Sequence, residues 1–141
     1  MSADTLRSVS LQRTPDGQLV ARNRRGGELA IRSGTDSDDF SPVELLLAAL
    51  AGCTALDVHT LTSRRAEPES FEVDATADKI RDESGNRLEN IQVVFRVRFP
   101  EGEGGDEARK ILPDMVARSH DRLCTVSRTI ELGTPVDARV E

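Results

Sequence analysis

Two cysteines, Cys53 and Cys124, are the residues of this chain best suited to chemistry. A cysteine reacts as its thiolate. Against a peroxide, the thiolate attacks one oxygen and becomes a sulfenic acid, which a second thiol can condense into a disulfide. Cys53 falls inside an apolar run, where the bland reading is a small hydrophobe filling the core. Burial raises a thiol's pKa, so a reactive Cys53 requires a nearby cation. Arg32 is the nearest upstream cation to that run, and Arg24 and Arg25 compete with it. A guanidinium at that place would favour the thiolate and bind a peroxide oxygen; otherwise the three arginines are solvated strand ends and turns. Cys124 carries the same pair of readings, buried filler or resolving thiol, and its separation in sequence does not decide whether it meets Cys53. Neither cysteine belongs to a Cys-x-x-Cys pair, so a thioredoxin-type motif is absent.

The remaining polar residues narrow the chemistry. Glu44 has a structural reading as the partner of Ser41 in a capping box. On one helix, Glu44 and Cys53 lie about 13 Å apart along the axis and on opposite faces. Glu44 therefore does not touch Cys53 of its own helix, and if both belong to one site, a second copy of the chain could supply one of them. Asp57, one turn after Cys53, would oppose a thiolate on its own face, so it is expected to point elsewhere or to pair with a basic group. His59 and His120 are isolated, and no Cys, His and carboxylate spacing suits a metal. Gly26-Gly27 and Gly104-Gly105 lack the pattern of a phosphate loop. No metal and no cofactor is expected.

The elements that must hold these residues read as follows. Leu6 to Arg13, Gln18 to Arg24 and Glu28 to Arg32 form a strand meander, broken by the turn Thr14-Pro15-Asp16-Gly17 and by Gly26-Gly27. After the polar loop Ser33 to Phe40, Ser41 is a natural N-cap, Pro42 suits the first helical position, and Glu44 completes the capping box. The helix runs to about Arg64. Its segment from Leu45 to Leu56 is apolar on every side, which marks a buried central helix. Gly52 in mid-helix costs roughly 1 kcal/mol against alanine, and close packing there is the simplest compensation. Ser70 to Arg81 and Leu88 to Phe99 alternate as a long hairpin. Gly102 to Gly105 reads as a flexible connector. Asp106 to Ser119 has helical spacing, with a kink or late start at Pro113. Cys124 to Ile130 is a short helical turn, and Pro135 to Val140 a closing strand. The expected class is α+β: antiparallel sheets wrapped around a long central buried helix, in one domain spanning residues 1–141.

Composition excludes several classes. A formal net charge of −6 disfavours nucleic acid as a partner. The chain starts polar at Met1 and shows no signal-peptide core, and no apolar stretch reaches the ~20 residues a bilayer needs, so a cytoplasmic protein without a membrane role is expected. With no Trp or Tyr and only four Phe, the core is light, and burying a shared surface in a dimer would supplement it.

The segment Ser41-Pro42-Val43-Glu44-Leu45-Leu46-Leu47-Ala48-Ala49-Leu50-Ala51-Gly52-Cys53 resembles the central helix of the OsmC/Ohr family, in its OsmC-like branch. Leu123-Cys124-Thr125-Val126-Ser127 is similar to the place where that family carries its second cysteine, and the order of elements matches over nearly the whole chain. The resemblance implies an intertwined homodimer with sites at the subunit interface. It implies Cys53 as the peroxide-reacting thiol, Cys124 as the resolving thiol, and Glu44 holding an arginine, best matched by Arg32, toward the pocket. It implies a peroxidase acting on organic hydroperoxides, or also on hydrogen peroxide, recycled by a dithiol reductant of lipoyl or thioredoxin type. A non-catalytic binder of a small hydrophobic ligand and a redox sensor are the alternatives on the same fold.

Overall fold

Local turn chemistry builds the N-terminal part of the chain. In the computed structural model, which describes residues 5–34 and 36–141, strands β1 (Ser10–Arg13), β2 (Leu19–Arg22) and β3 (Glu28–Ile31) form an antiparallel sheet in the order β1-β2-β3. The start at Met1 and Thr35 of the polar loop lie outside the described residues. Between β1 and β2, the Gly17 N–H donates to the Thr14 carbonyl over 2.9 Å, with Gly17 at φ 85°. Between β2 and β3, the Asn23 Oδ1 accepts the N–H groups of Arg25 and Gly27, so the side chain itself makes the turn. The strands are shorter than the meander read from alternation: β1 starts at Ser10 and β3 ends at Ile31. Among the described residues of this unit, which extends to Leu46, Val20 and Ala21 are buried.

Helix α1 (Pro42–Thr62) starts as its residues dictate. The Ser41 Oγ accepts the Glu44 N–H at 3.2 Å, and the Glu44 Oε1 accepts the Ser41 N–H at 2.9 Å. Burial along α1 differs from the expected all-round cover. Only Leu50, Thr54, Val58 and Thr62 are buried, a single stripe at four-residue spacing, while Leu56 is 71% exposed. A methyl group added at Gly52 would meet nothing within 4 Å, so the close packing expected there is not made within the chain. Contrary to the reading of the sequence, these 21 residues are long and apolar enough to cross a bilayer. The buried hydroxyls of Thr54 and Thr62 and the Asp57 carboxylate instead take partners inside the fold.

The second unit, Leu47–Glu141, contains a long antiparallel hairpin of β4 (Ser70–Asp82) and β5 (Gly85–Arg98). A bulge interrupts it: Thr76 faces Gln92 and Asp78 faces Glu89, so Asn90 and Ile91 together oppose Ala77. Asn90 absorbs the kink at φ 52°. Phe71 joins the two strands to α1, meeting Phe95 and His59 edge-on at 6.2 and 5.7 Å.

Helix α2 (Glu103–Arg118) begins earlier than its apolar spacing indicated, runs through Pro113, and absorbs the glycines read as a flexible connector. Those glycines are there for close approach. A Cβ at Gly105 would stand 1.7 Å from the Pro100 carbonyl oxygen, and one at Gly104 2.5 Å from that of Arg65. Gly105→Ala is expected to destabilise the fold by roughly 1–3 kcal/mol, since the obstacle is backbone rather than a mobile side chain. Urea denaturation checks this, and an unchanged midpoint would contradict the packing. Helix α3 (Thr125–Leu132) ends at Gly133, in the left-handed region at φ 62°. Beyond it, the closing strand expected from Pro135 to Val140 is absent: the segment has no ladder, and Val136 and Val140 are 90% and 98% exposed. Alternation alone does not make a strand where no edge is offered.

Candidate functional site

Cys53 lies half-buried on α1, and Cys124 is fully buried at the N-cap of α3; both are free thiols. The two lie on adjoining segments: Ser119 meets Thr54, the residue after Cys53, through its hydroxyl, and accepts the Cys124 N–H through its carbonyl. What brings them together is the way α2 ends. After Arg118 the chain widens into a π turn, Ser119–Leu123, closed by the Cys124 N–H donating to the Ser119 carbonyl at 2.8 Å. The wider turn delivers Cys124 in an extended conformation, φ −72° and ψ 103°. There its Sγ accepts the Ser127 N–H at 3.4 Å, and its carbonyl accepts the Arg128 N–H at 3.0 Å.

Burial pushes the Cys124 thiol's pKa upward; the Ser127 N–H offsets part of this, and Cys53 and Asp57 add to the rise. Cys124 is therefore held as a neutral thiol. A raised thiol pKa supports the folded state below the ordinary value of 9.0, where the thiol is protonated both folded and unfolded. That support is lost as pH rises through the folded value. The melting temperature of the wild type should accordingly fall more steeply in alkaline buffers than that of Cys124→Ser. Parallel curves would mean that the thiol is not held neutral by the fold.

Asp57 does oppose a thiolate, but that of Cys124, and its partner is a hydroxyl rather than a basic group. The Ser119 Oγ donates to the Asp57 Oδ2 at 2.9 Å and lies 2.8 Å from the Thr54 Oγ1. With the serine proton committed to the carboxylate, Thr54 is the donor to Ser119. Ser119 is fully buried and Thr54 nearly so. On the other side of Cys124, the Ser127 Oγ meets the His120 Nδ1 at 3.2 Å, and the His120 Nε2 meets the Glu131 Oε1 at 3.1 Å. A cavity of about 460 Å³ opens here, with Leu50, Val93, Phe95 and Ile130 among its apolar walls and Thr54, His120 and Ser127 among its polar ones. Two of its lining residues are next to the cysteines along the chain or by hydrogen bond: Thr54 follows Cys53, and the Ser127 N–H donates to the Cys124 sulfur.

The other expected site residues belong to the first unit. Arg32 lies beyond β3, with its N–H donating to the Phe40 carbonyl at 3.1 Å and its Nε 4.0 Å from the Asp39 Oδ2. Glu44 gives its carboxylate to the Ser41 N–H and stays exposed; those hydrogen bonds hold its pKa below 4.5. Glu44 and Arg32 thus form no ion pair with each other, because each is engaged locally. Arg24 and Arg25 sit exposed in the turn between β2 and β3.

The model of the OsmC-like protein family matches residues 34–139, a stretch that includes α1, both cysteines and the hairpin. The chain belongs to this family. It is 26% identical over 130 residues to an uncharacterized protein of Mycobacterium tuberculosis, covering 92% of this chain and 93% of that one. Its fold is similar to that of an OsmC-like protein from Mycoplasma pneumoniae, with a TM-score of 0.69, 16% identity, and coverage of 91% and 89% of the two chains. It is also similar to the organic hydroperoxide resistance protein OhrB of Bacillus subtilis, with a TM-score of 0.61, 16% identity, and coverage of 90% and 91%.

In this OsmC-like chain, Ser119 and Ser127 are site neighbours that the sequence reading passed over. The signal for Ser119 was present. It continues the apolar line of Ala108, Ile111, Leu112, Met115 and Val116, and a serine on a core-facing line requires a buried hydrogen-bond partner. Ser127 showed no comparable signal, because its role depends on the π turn.

Proposed function

We propose that this OsmC-like protein is a thiol-dependent peroxidase that reduces organic hydroperoxides. The observation that carries the reading is that Ser119 ties the turn carrying Cys124 to the helical turn carrying Cys53, near an apolar cavity lined by Thr54 and Ser127. Structures of similar fold include proteins described as organic hydroperoxide resistance proteins, which supports a hydroperoxide as substrate. The Cys53 thiolate attacks the terminal peroxide oxygen; the O–O bond breaks, and the alkoxide leaves as an alcohol after taking a proton. The Cys124 thiol then attacks the sulfur of the Cys53 sulfenic acid. An S–S bond forms, the S–O bond breaks, and the thiol proton departs with the hydroxyl as water. An external dithiol restores both cysteines.

Arg32 is the guanidinium we assign to the Cys53 thiolate, oriented by Glu44 once the two leave their local partners. Because Glu44 and Cys53 point to opposite faces of α1, the site is completed in a homodimer. The exposed Leu46 and Leu56 and the open space at Gly52 support a second copy on α1. Light scattering that reads an active monomer would remove this part. We read the chain as one domain, since α1 runs from one unit into the other, and place it in the cytoplasm.

The cavity also supports a second reading, a binder of a small hydrophobic ligand, because its volume and apolar lining suit one. Titrating free thiols before and after a stoichiometric dose of cumene hydroperoxide separates the two. Loss of both thiols is the result expected of the peroxidase; retention of both favours the binder. A redox sensor would also lose both thiols but would not turn over with a dithiol.

A further inference from the structure

The chain of hydroxyls between α1 and the π turn spans the two cysteines. Cys53, Thr54 and Asp57 share one turn of α1, and Ser119 is bonded to both Thr54 and Asp57. The same Ser119 accepts, through its carbonyl, the N–H of Cys124. One residue therefore ties the backbone that carries the second thiol to the helical turn that carries the first. Burying two hydroxyls against a carboxylate is costly unless the geometry is satisfied, and here each hydroxyl proton has an acceptor. A hydrophobic contact would have closed this corner without desolvation, but without fixing a register.

We propose that the Thr54–Ser119–Asp57 chain is a positioning device for disulfide closure: it holds Cys124 within reach of Cys53 by tying the turn that carries Cys124 to α1 through Thr54 and Asp57. This rests on the peroxidase reading above and concerns its second step. Of the two thiols the peroxide step uses only Cys53, and it does not pass through Ser119. The closing step needs the two sulfurs in line, and a small misplacement of aligned groups costs up to about a hundred-fold in rate. The carboxylate has a separate effect. The charged and titratable groups around Cys124 are Cys53 and Asp57 on α1, with His120 reached through Ser127. Asp57 is the carboxylate among them, and it disfavours the Cys124 thiolate.

The experiment is rapid mixing of the reduced full-length protein with cumene hydroperoxide, following sulfenic acid by dimedone capture and disulfide by mass. Ser119→Ala removes both hydroxyl bonds and should slow disulfide closure by about ten-fold or more while leaving the peroxide step within about two-fold. Thr54→Val keeps the shape, loses one bond, and should slow closure by about three-fold; it serves where Ser119→Ala fails to fold. In a Cys53→Ser background, Asp57→Asn should move the ultraviolet thiolate titration of Cys124 to lower pH, which a purely structural role would not do. Closure at the wild-type rate in both hydroxyl variants, an equal loss of both steps, or an unmoved titration overturns the proposal. A wild type that forms neither sulfenic acid nor disulfide refutes the peroxidase reading instead.

Discussion

Cys53→Ser should reduce peroxide consumption to the level of buffer, a loss on the order of a thousand-fold or more, as removing an enzyme's nucleophile does. The effect is this large because serine's hydroxyl does not ionise near neutral pH, and nothing else in the chain can take over. Cys124 is fully buried, and desolvation together with its neighbours holds it protonated, so it does not substitute as the attacking sulfur. The fold, by contrast, should hardly notice. Cys53 is half-buried, and serine is close to it in volume. A dithiol-driven assay with cumene hydroperoxide, beside a thermal melt of the same preparation, separates loss of chemistry from loss of structure. Turnover persisting in a folded Cys53→Ser protein would transfer the chemistry elsewhere and remove the reason for assigning Arg32 to this sulfur.

The parts of the fold that were legible are those settled by neighbours in sequence. Ser41, Pro42 and Glu44 define the start of α1 by groups no more than three residues apart, and their hydrogen bonds are those the capping box demands. Thr14 to Gly17 is likewise a self-contained turn, and the hairpin of β4 and β5 follows from alternation on both sides of Gly85. What was misread depends on distant partners. Gly104 and Gly105 look like a flexible connector until the Arg65 and Pro100 carbonyls are placed against them. Pro135 to Val140 alternates, but no strand edge meets it. The all-apolar stretch of α1 indicates complete burial, yet in a single chain only one stripe is covered.

The candidate site divides in the same way. Cysteine chemistry made Cys53 and Cys124 visible as candidates, but their adjacency comes from a π turn, and a π turn has no short sequence signature. The five-residue widening at Ser119–Leu123 depends on the Cys124 N–H reaching past the ordinary helical acceptor to the Ser119 carbonyl. Asp57 shows the limit most clearly. Reasoning along α1 placed it within reach of the face of Cys53 and expected it to point elsewhere or to pair with a basic group. Its hydrogen-bond partner is Ser119, on the turn that follows α2, and no periodicity within one helix could have supplied that.

The second large effect belongs to Cys124→Ser, and its sign depends on which step is observed. The first reaction with peroxide needs only the Cys53 thiolate, so a single turnover should proceed at nearly the wild-type rate. The sulfenic acid then has no partner. With peroxide in excess it should advance to sulfinic acid, which dithiols do not reverse, and steady-state turnover should fall by about a hundred-fold or more. Mass spectrometry should show two added oxygens on the Cys53 peptide of the variant and a disulfide in the wild type. The comparison also weighs the competing readings. A binder that does not use its thiols would show neither species, and a sensor would form the disulfide without recycling. Full steady-state turnover in Cys124→Ser, with no sulfinic acid, would mean that an external thiol resolves Cys53 directly. The burial of Cys124 beside Asp57 would then be a packing feature rather than part of the reaction.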